Sequence, residues 1–119
     1  MANKARGETT VTLGGKQLVL RPTFEAVEQI QDRLGERLVP LISRLSRSDF
    51  GVRDIAVPIH EFARAGGSEM EYQDIGELVL AEGLKNVAPT IMTMITDILL
   101  GPEKKTGVPD EKPETEKTA

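Results

Sequence analysis

Polar and apolar residues alternate along two short segments near the start of the chain. The first is Thr10–Leu13, and the second is Lys16–Arg21, which follows the glycine pair Gly14-Gly15. Two alternating segments joined by a two-residue glycine loop are typical of a β-hairpin. Pro22 has no N–H for a strand ladder, so it is expected to end the second strand. The sequence therefore predicts an N-terminal hairpin.

The length of the turn also predicts the register of the hairpin. A two-residue loop sets Leu13 opposite Lys16 and Val11 opposite Leu18. Leu20 then shares an apolar face with Val11, Leu13 and Leu18, while the other face is mostly polar. An isolated hairpin is marginally stable in water, so we expect helices or further strands to cover the apolar face.

After the hairpin, apolar residues recur every three or four positions, which is typical of amphipathic helices. Thr23 is placed to cap the first helix and Gly35 to end it. The apolar residues expected on the inner side of that helix are Phe24, Val27, Ile30 and Leu34. The predicted helices are Phe24–Leu34, Val39–Leu45, Val52–Ala65, Glu69–Glu82 and Val87–Leu100. The fold class is thus α+β: a hairpin followed by four or five helices.

Several residues predict irregularities at or within these helices. Pro58 is expected to kink the third helix or to remove a turn, at a cost of about 3 kcal/mol. Ser68 with Glu71 predicts a capping box for the fourth helix. Asn86 is expected to cap the last helix, which would put Pro89 in its first turn, where proline is tolerated.

The 119 residues fit a single domain, which we assign to residues 8–100. Residues 1–7 are predicted to form a flexible arm. Residues 101–119 are charged, proline-rich and without apolar periodicity, so they are predicted to be disordered. No secretory segment and no apolar run of membrane-spanning length is evident. We therefore expect a soluble, intracellular protein without membrane contact.

Composition argues against several classes of function. A net charge of −4 disfavours a surface that neutralises nucleic-acid phosphates. The chain has no cysteine, and His60 is its single histidine. Glu61 follows His60, but no second histidine completes a zinc motif, so a structural role is favoured. We predict no catalytic residue, no metal ligand and no cofactor, and therefore no enzyme.

Two groups of charged residues receive structural interpretations. Glu69, Glu71, Asp74 and Glu77 lack the spacing of a calcium loop and are interpreted as acids near a helix N-terminus. Arg33, Arg37, Arg44 and Arg47 could form a basic strip for an acidic partner. Acidic residues are interleaved with them, so a mixed, solvated face is favoured.

The hairpin and the first helix carry a recognisable pattern of residues. It reads Arg6-Gly7-Glu8, Val11-x-Leu13-x-Gly15-Lys16, Leu18-x-Leu20-Arg21-Pro22-Thr23-Phe24, Glu28 and Leu34-Gly35. This pattern, with Gly66-Gly67 and Glu82-Gly83-Leu84 further on, resembles the gene-transfer-agent tail proteins. That family is grouped with phage tail assembly chaperones and is also labelled as tail tube protein. The similarity covers about residues 4–100.

The resemblance implies a tail assembly chaperone of a phage, a prophage or a gene transfer agent, acting in the cytoplasm of the bacterial host cell. Such a protein binds the tape-measure protein and helps to recruit tail tube subunits. Whether the chain also associates with copies of itself stays open. Two alternatives remain: a structural component of the tail tube, and an unrelated, non-enzymatic helical interaction domain. The sequence shows two clear strands, whereas a tube wall needs strands that continue between neighbours, so the chaperone is favoured.

A chaperone of this kind needs exposed apolar surface rather than a catalytic group. Helix-in-groove binding would suit a helical partner. The last helix and its rim are our candidate contact surface, since methionine adapts to varied surfaces. The candidate contact residues are Met92, Met94, Ile95 and Leu99. Core packing is the default interpretation for the apolar stripe of this helix, and Met92, which lies off the stripe, is the better candidate for contact. The sequence alone does not separate contact residues from core.

Overall fold

The computed structural model describes residues 7–101. The predicted arm (1–7) and tail (101–119) lie outside this range, apart from Gly7 and Gly101. The elements in chain order are β1 (Thr9–Leu13), β2 (Lys16–Leu20), α1 (Phe24–Leu34), α2 (Leu38–Ser46), α3 (Val52–Ala65), α4 (Tyr72–Glu82) and α5 (Leu84–Leu100). The predicted α+β class is confirmed, with a two-stranded antiparallel hairpin followed by five helices.

The hairpin has the predicted turn and register. Gly14 and Gly15 have φ angles of 54° and 83°, and a type I′ turn requires positive φ at both central residues. Leu13 pairs with Lys16, and Val11 pairs with Leu18. The apolar face is covered by the helices, because Leu13, Leu18 and Leu20 are all buried.

Helix α3 lies at the centre of the molecule and packs against β2, α1, α4 and α5. Its residues Ile55–Ile59 and Glu61–Ala63 are buried. Pro58 lies within this run, yet α3 continues through it, so the expected loss of a turn is wrong. Burial against four elements outweighs the roughly 3 kcal/mol that an interior proline costs.

Helix α1 has the predicted limits and the predicted caps. The hydroxyl of Thr23 accepts a hydrogen bond from the Ala26 N–H at 3.1 Å, and Gly35 ends the helix in the left-handed conformation. Phe24, however, is 79 % exposed, so its predicted place on the inner side is wrong. The inner side is centred between Ala26 and Ile30, and Phe24 points about 140° away from it.

Helix α4 begins at Tyr72, three residues later than predicted, with Glu71 as the N-cap residue. The expected capping box with Ser68 is absent. Ser68 instead belongs to the connection after α3: its N–H donates to the Ala63 carbonyl at 2.9 Å, and its hydroxyl accepts from the Met70 N–H at 3.2 Å.

Helix α5 begins at Leu84, three residues earlier than predicted, so Asn86 is not its cap. Gly83 alone separates α4 from α5, with a φ of 101° that favours glycine. Asn86 donates from its side chain to the Glu82 carbonyl at 2.8 Å. Pro89 therefore lies in the second turn of α5 rather than the first.

The two last helices meet at an angle of 113°. Among the described residues, no single helix is long and apolar enough to cross a membrane; the bent pair of α4 and α5 passes that test by length and composition alone. The Glu82 carboxylate, at the end of α4, accepts from the Gly14 N–H at 3.1 Å and ties this corner to the hairpin turn.

Two glycines should respond in opposite ways to the same substitution. A Cβ on Gly66 would lie 2.1 Å from the Val19 carbonyl oxygen, whereas a Cβ on Gly76 would meet nothing within 4 Å. We expect Gly66→Ala to lower the free energy of unfolding by about 1–3 kcal/mol. We expect Gly76→Ala, in the interior of α4, to raise it by about 0.5–1 kcal/mol.

Urea denaturation of both variants measures this difference, and Gly76→Ala serves as the matched control for the effect of the added methyl group. Equal or greater stability of Gly66→Ala would contradict the close contact with β2.

Candidate partner-binding surface

The outer side of α5 is almost free of charge. Pro89, Thr93 and Leu100 are exposed, and helical spacing places them on one line with the half-buried Thr96. The single charged residue between positions 87 and 100 is Asp97, which is half-buried. The solvent side of a helix usually carries charged residues. The uncharged solvent side of α5 is therefore the best candidate for contact with another protein.

The four predicted contact residues are divided between this surface and the core. Leu99 is 44 % exposed, and Met92 is half-buried and packs against the core. Met94 and Ile95 are 3 % and 0 % exposed, so in this conformation they fill the core and do not reach a partner. We define the α5 face by its members: Pro89, Met92, Thr93, Thr96, Leu99 and Leu100.

A shallow groove extends the α5 face towards the hairpin. It is lined by Thr9, at the start of β1, and by Pro89, Thr90 and Thr93 of α5. Threonine offers a methyl group and a hydroxyl group, so the groove can hold apolar side chains and hydrogen-bond to a partner's backbone or polar groups. Sequence periodicity did not reveal this groove, because its two sides lie about 80 residues apart in the chain.

A cluster of polar side chains, which we call the α3 cluster, joins α1, α3 and α4. Its members are Arg33, His60, Glu61, Arg64 and Tyr72. One nitrogen of Arg33, Nη1, lies 2.6 Å from Glu61 Oε2 and 2.8 Å from His60 Nδ1. The other oxygen of Glu61 accepts from Arg64 at 2.8 Å.

Burial explains why Glu61 needs both arginines. Its side chain is 3 % exposed, and a buried carboxylate is costly unless it is paired and hydrogen-bonded. The Arg33 guanidinium also lies over the Tyr72 ring, 4.7 Å from its centroid, in a cation–π contact. The cluster therefore holds three helices together around one buried charge.

His60 lies in the α3 cluster, in contact with Arg33. Burial, followed by the charge of Arg33, lowers the pKa of His60 from its ordinary value of 6.5, and the nearby Glu61 opposes this shift. Its ring also lies 5.6 Å from that of Tyr72. Within residues 7–101, no group of three or more His, Cys, Asp or Glu side chains is placed to hold a metal ion.

The arginines considered as a basic strip are largely neutralised. Arg44 forms ion pairs with Glu36 and Asp54, and Arg47 lies 3.8 Å from Asp49. The two carboxylates raise the pKa of the Arg44 guanidinium, and Arg44 lowers the pKa of Asp54. With Arg33 paired to Glu61, these contacts support the mixed face over a basic strip.

Outside α5, four exposed apolar residues were not predicted as surface: Phe24, Val39, Val52 and Leu80, of which Leu80 is 62 % exposed. Leu80 follows Leu78 and Val79, and three consecutive apolar residues cannot all face the core from one helix. That signal was available in the sequence. The acids Glu69, Glu71, Asp74 and Glu77 are all exposed, in keeping with a solvated face.

Comparison with known proteins gives one result. The family model described as "Phage tail tube protein, GTA-gp10" matches residues 6–101. No curated protein and no solved structure shows a significant match. The matched range contains the hairpin and all five helices.

Truncation of two residues on α5 should separate core from surface. We expect Met94→Ala to lower the free energy of unfolding by about 2–5 kcal/mol, because it leaves a cavity in the core. We expect Leu99→Ala, at the exposed rim, to change it by less than about 0.5 kcal/mol. Thermal or urea unfolding of the two variants measures this. Similar losses for both would mean that Leu99 is covered in solution.

Proposed function

The chain belongs to the family of phage tail tube protein GTA-gp10, and we propose that it acts in tail assembly as a chaperone. In this proposal it binds the tape-measure protein and helps to bring tail tube subunits to it. It works through protein–protein contact in the cytoplasm of the host cell, without catalysis.

The α5 face carries this proposal. It offers an elongated, uncharged surface along α5, next to the groove at Thr9. An amphipathic helix of a partner can place its apolar residues at successive turns along such a surface. Exposed apolar area on a chaperone has a physical purpose, because it shields the apolar stripe of a partner that would otherwise aggregate.

A structural component of the tail tube is the second candidate. The family description names the tube itself, so it supports this candidate more directly than it supports a chaperone. The architecture favours the chaperone. Residues 7–101 contain a sheet of only two strands, and a tube wall built by strand pairing between neighbours needs longer sheets on each subunit.

Co-expression with the tape-measure protein of the same genome tests the proposal. We expect a soluble complex on pull-down and sizing, from a tape-measure protein that is insoluble when produced alone. Thr93→Lys and Leu100→Lys should each weaken the complex by at least about tenfold, because each would bury a charge in the interface. Gln73→Lys, on the exposed side of α4, is the matched control and should bind normally.

Analysis of purified particles separates the two candidates. A chaperone should be absent from mature particles, whereas a tube component should be present in many copies and should assemble into rings or tubes. Recovery of the chain in particles, together with no complex with the tape-measure protein, would overturn the chaperone proposal.

A further inference from the structure

The two outer edges of the hairpin differ in how they are covered. In a hairpin with a two-residue loop, the pair that closes the loop is hydrogen-bonded, and bonded and non-bonded pairs then alternate. Every second residue of each strand therefore directs its N–H and C=O away from the other strand. Just after β2, the Arg21 N–H follows this rule and donates to the Phe62 carbonyl at 2.9 Å. The Val19 carbonyl lies against Gly66, so the end of α3 covers this part of the β2 edge.

The outer edge of β1 has no such cover from the described residues. Thr10 and Thr12 lie opposite Val19 and Gln17 in the non-bonded pairs, so they direct their backbone groups outward. Both threonines are exposed. Within residues 7–101, no backbone hydrogen bond joins either threonine to a residue outside the hairpin. Their N–H and C=O groups are therefore available along this edge.

Strand β1 also lacks the features that usually protect an edge strand. Natural edges are commonly protected by charged side chains, by proline or by a bulge. The strand reads Thr-Thr-Val-Thr-Leu, without charge or proline, and its ladder with β2 is regular from Thr9 to Leu13. Its threonines and valine are β-branched residues, which favour strands. An uncharged, regular edge of this kind is a template for another strand.

The uncharged outer side of α5 lies next to the β1 edge. The groove at the start of β1 is lined by Thr9 together with Pro89, Thr90 and Thr93 of α5. A strand added beside β1 would lie along this groove. It would meet free backbone groups at its side and uncharged side chains of α5 beneath it, so its binding would bury no charge of this chain.

We propose that β1 of a second copy of this chain pairs with this edge, antiparallel and about a two-fold axis at Val11, so that two hairpins form one four-stranded sheet. In this register, Thr10 of each copy lies opposite Thr12 of the other. Both residues direct N–H and C=O towards the other copy, so the two pairs form four backbone hydrogen bonds. A shift by one residue would oppose each free residue to one that already bonds to β2.

A second copy is the occupant because the edge is complementary to itself. The two free residues lie symmetrically on either side of Val11, so a two-fold axis satisfies both of them with the same pair of residues. Threonine opposite threonine and valine opposite valine are favourable cross-strand pairs. No like charges meet across the axis, since β1 carries no charge. The β2 edge offers no such symmetry, because it has Lys16 at one end and α3 against the other.

The proposed interface is small, so the dimer should be weak. Four backbone hydrogen bonds and the adjoining groove amount to less than a standard protein–protein interface. We expect a dissociation constant on the order of 10–100 µM. The inference does not rest on the proposed chaperone function, because its tests use this chain alone and change no residue of the α5 face.

Sedimentation velocity of the full chain, from about 5 µM to about 500 µM, tests the dimer. The mass should rise with concentration from 13.0 kDa towards twice that value. Thr10→Pro removes an outward N–H at a position where an edge strand tolerates proline, and it should raise the dissociation constant at least about tenfold. Thr10→Val keeps the N–H and the β-branched shape, so this matched control should dimerise like the parent chain.

Cysteine substitution tests the register independently of the proline variant. The chain has no cysteine of its own. Val11 faces itself across the axis in a non-bonded pair, with Cα atoms about 4.5 Å apart, so Val11→Cys should form an intermolecular disulfide on mild oxidation. Thr10→Cys and Thr12→Cys would each meet their copy diagonally, at about 7–8 Å, which is too far for a bridge. Random collision predicts the opposite order, because Val11 is half-buried and both threonines are exposed.

Three results would each overturn the proposal. The chain could stay monomeric at every concentration, which would assign the edge to a different partner. A dimer could persist unchanged in a folded Thr10→Pro, which would place the contact on another surface. Thr10→Cys or Thr12→Cys could cross-link as fast as Val11→Cys, which would exclude the two-fold axis at Val11.

Discussion

Burial of α3 on nearly every side is the constraint on which the rest of the fold depends. The hairpin cannot stand alone, and its apolar face rests on the helices. The backbone joins the two directly, since the Arg21 N–H donates to the Phe62 carbonyl at 2.9 Å. Gly66 continues the same contact where α3 ends against Val19. Helix α3 therefore tolerates Pro58, because its neighbours hold it in place from four directions.

Central burial of α3 also determines where charges must meet. Glu61 lies on this helix and cannot reach solvent, so Arg33 and Arg64 converge on its two oxygens. His60 precedes Glu61 and is drawn into the same cluster, where a neutral ring is favoured. One buried carboxylate thus sets the contacts of α1, α3 and α4.

The proposed function rests on the other end of the chain. Helix α5 fills the core with one side, and its other side carries almost no charge between Pro89 and Leu100, so that side is the surface that the proposed partner would contact.

The sequence by itself determined the local elements: the hairpin register, the limits of α1 and α3, and the caps at Thr23 and Gly35. Each of these features depends on residues that are close in the chain: the residues of the turn, the capping residues, and the spacing of apolar residues. The tertiary structure alone decided which side of α5 is core. In the sequence, Met94 and Leu99 belong to the same apolar stripe, and only packing against the other elements places Met94 in the core and Leu99 at the exposed rim. It also decided that Arg33 and His60, 27 residues apart, meet at a buried carboxylate, because no local rule links residues that only folding brings together.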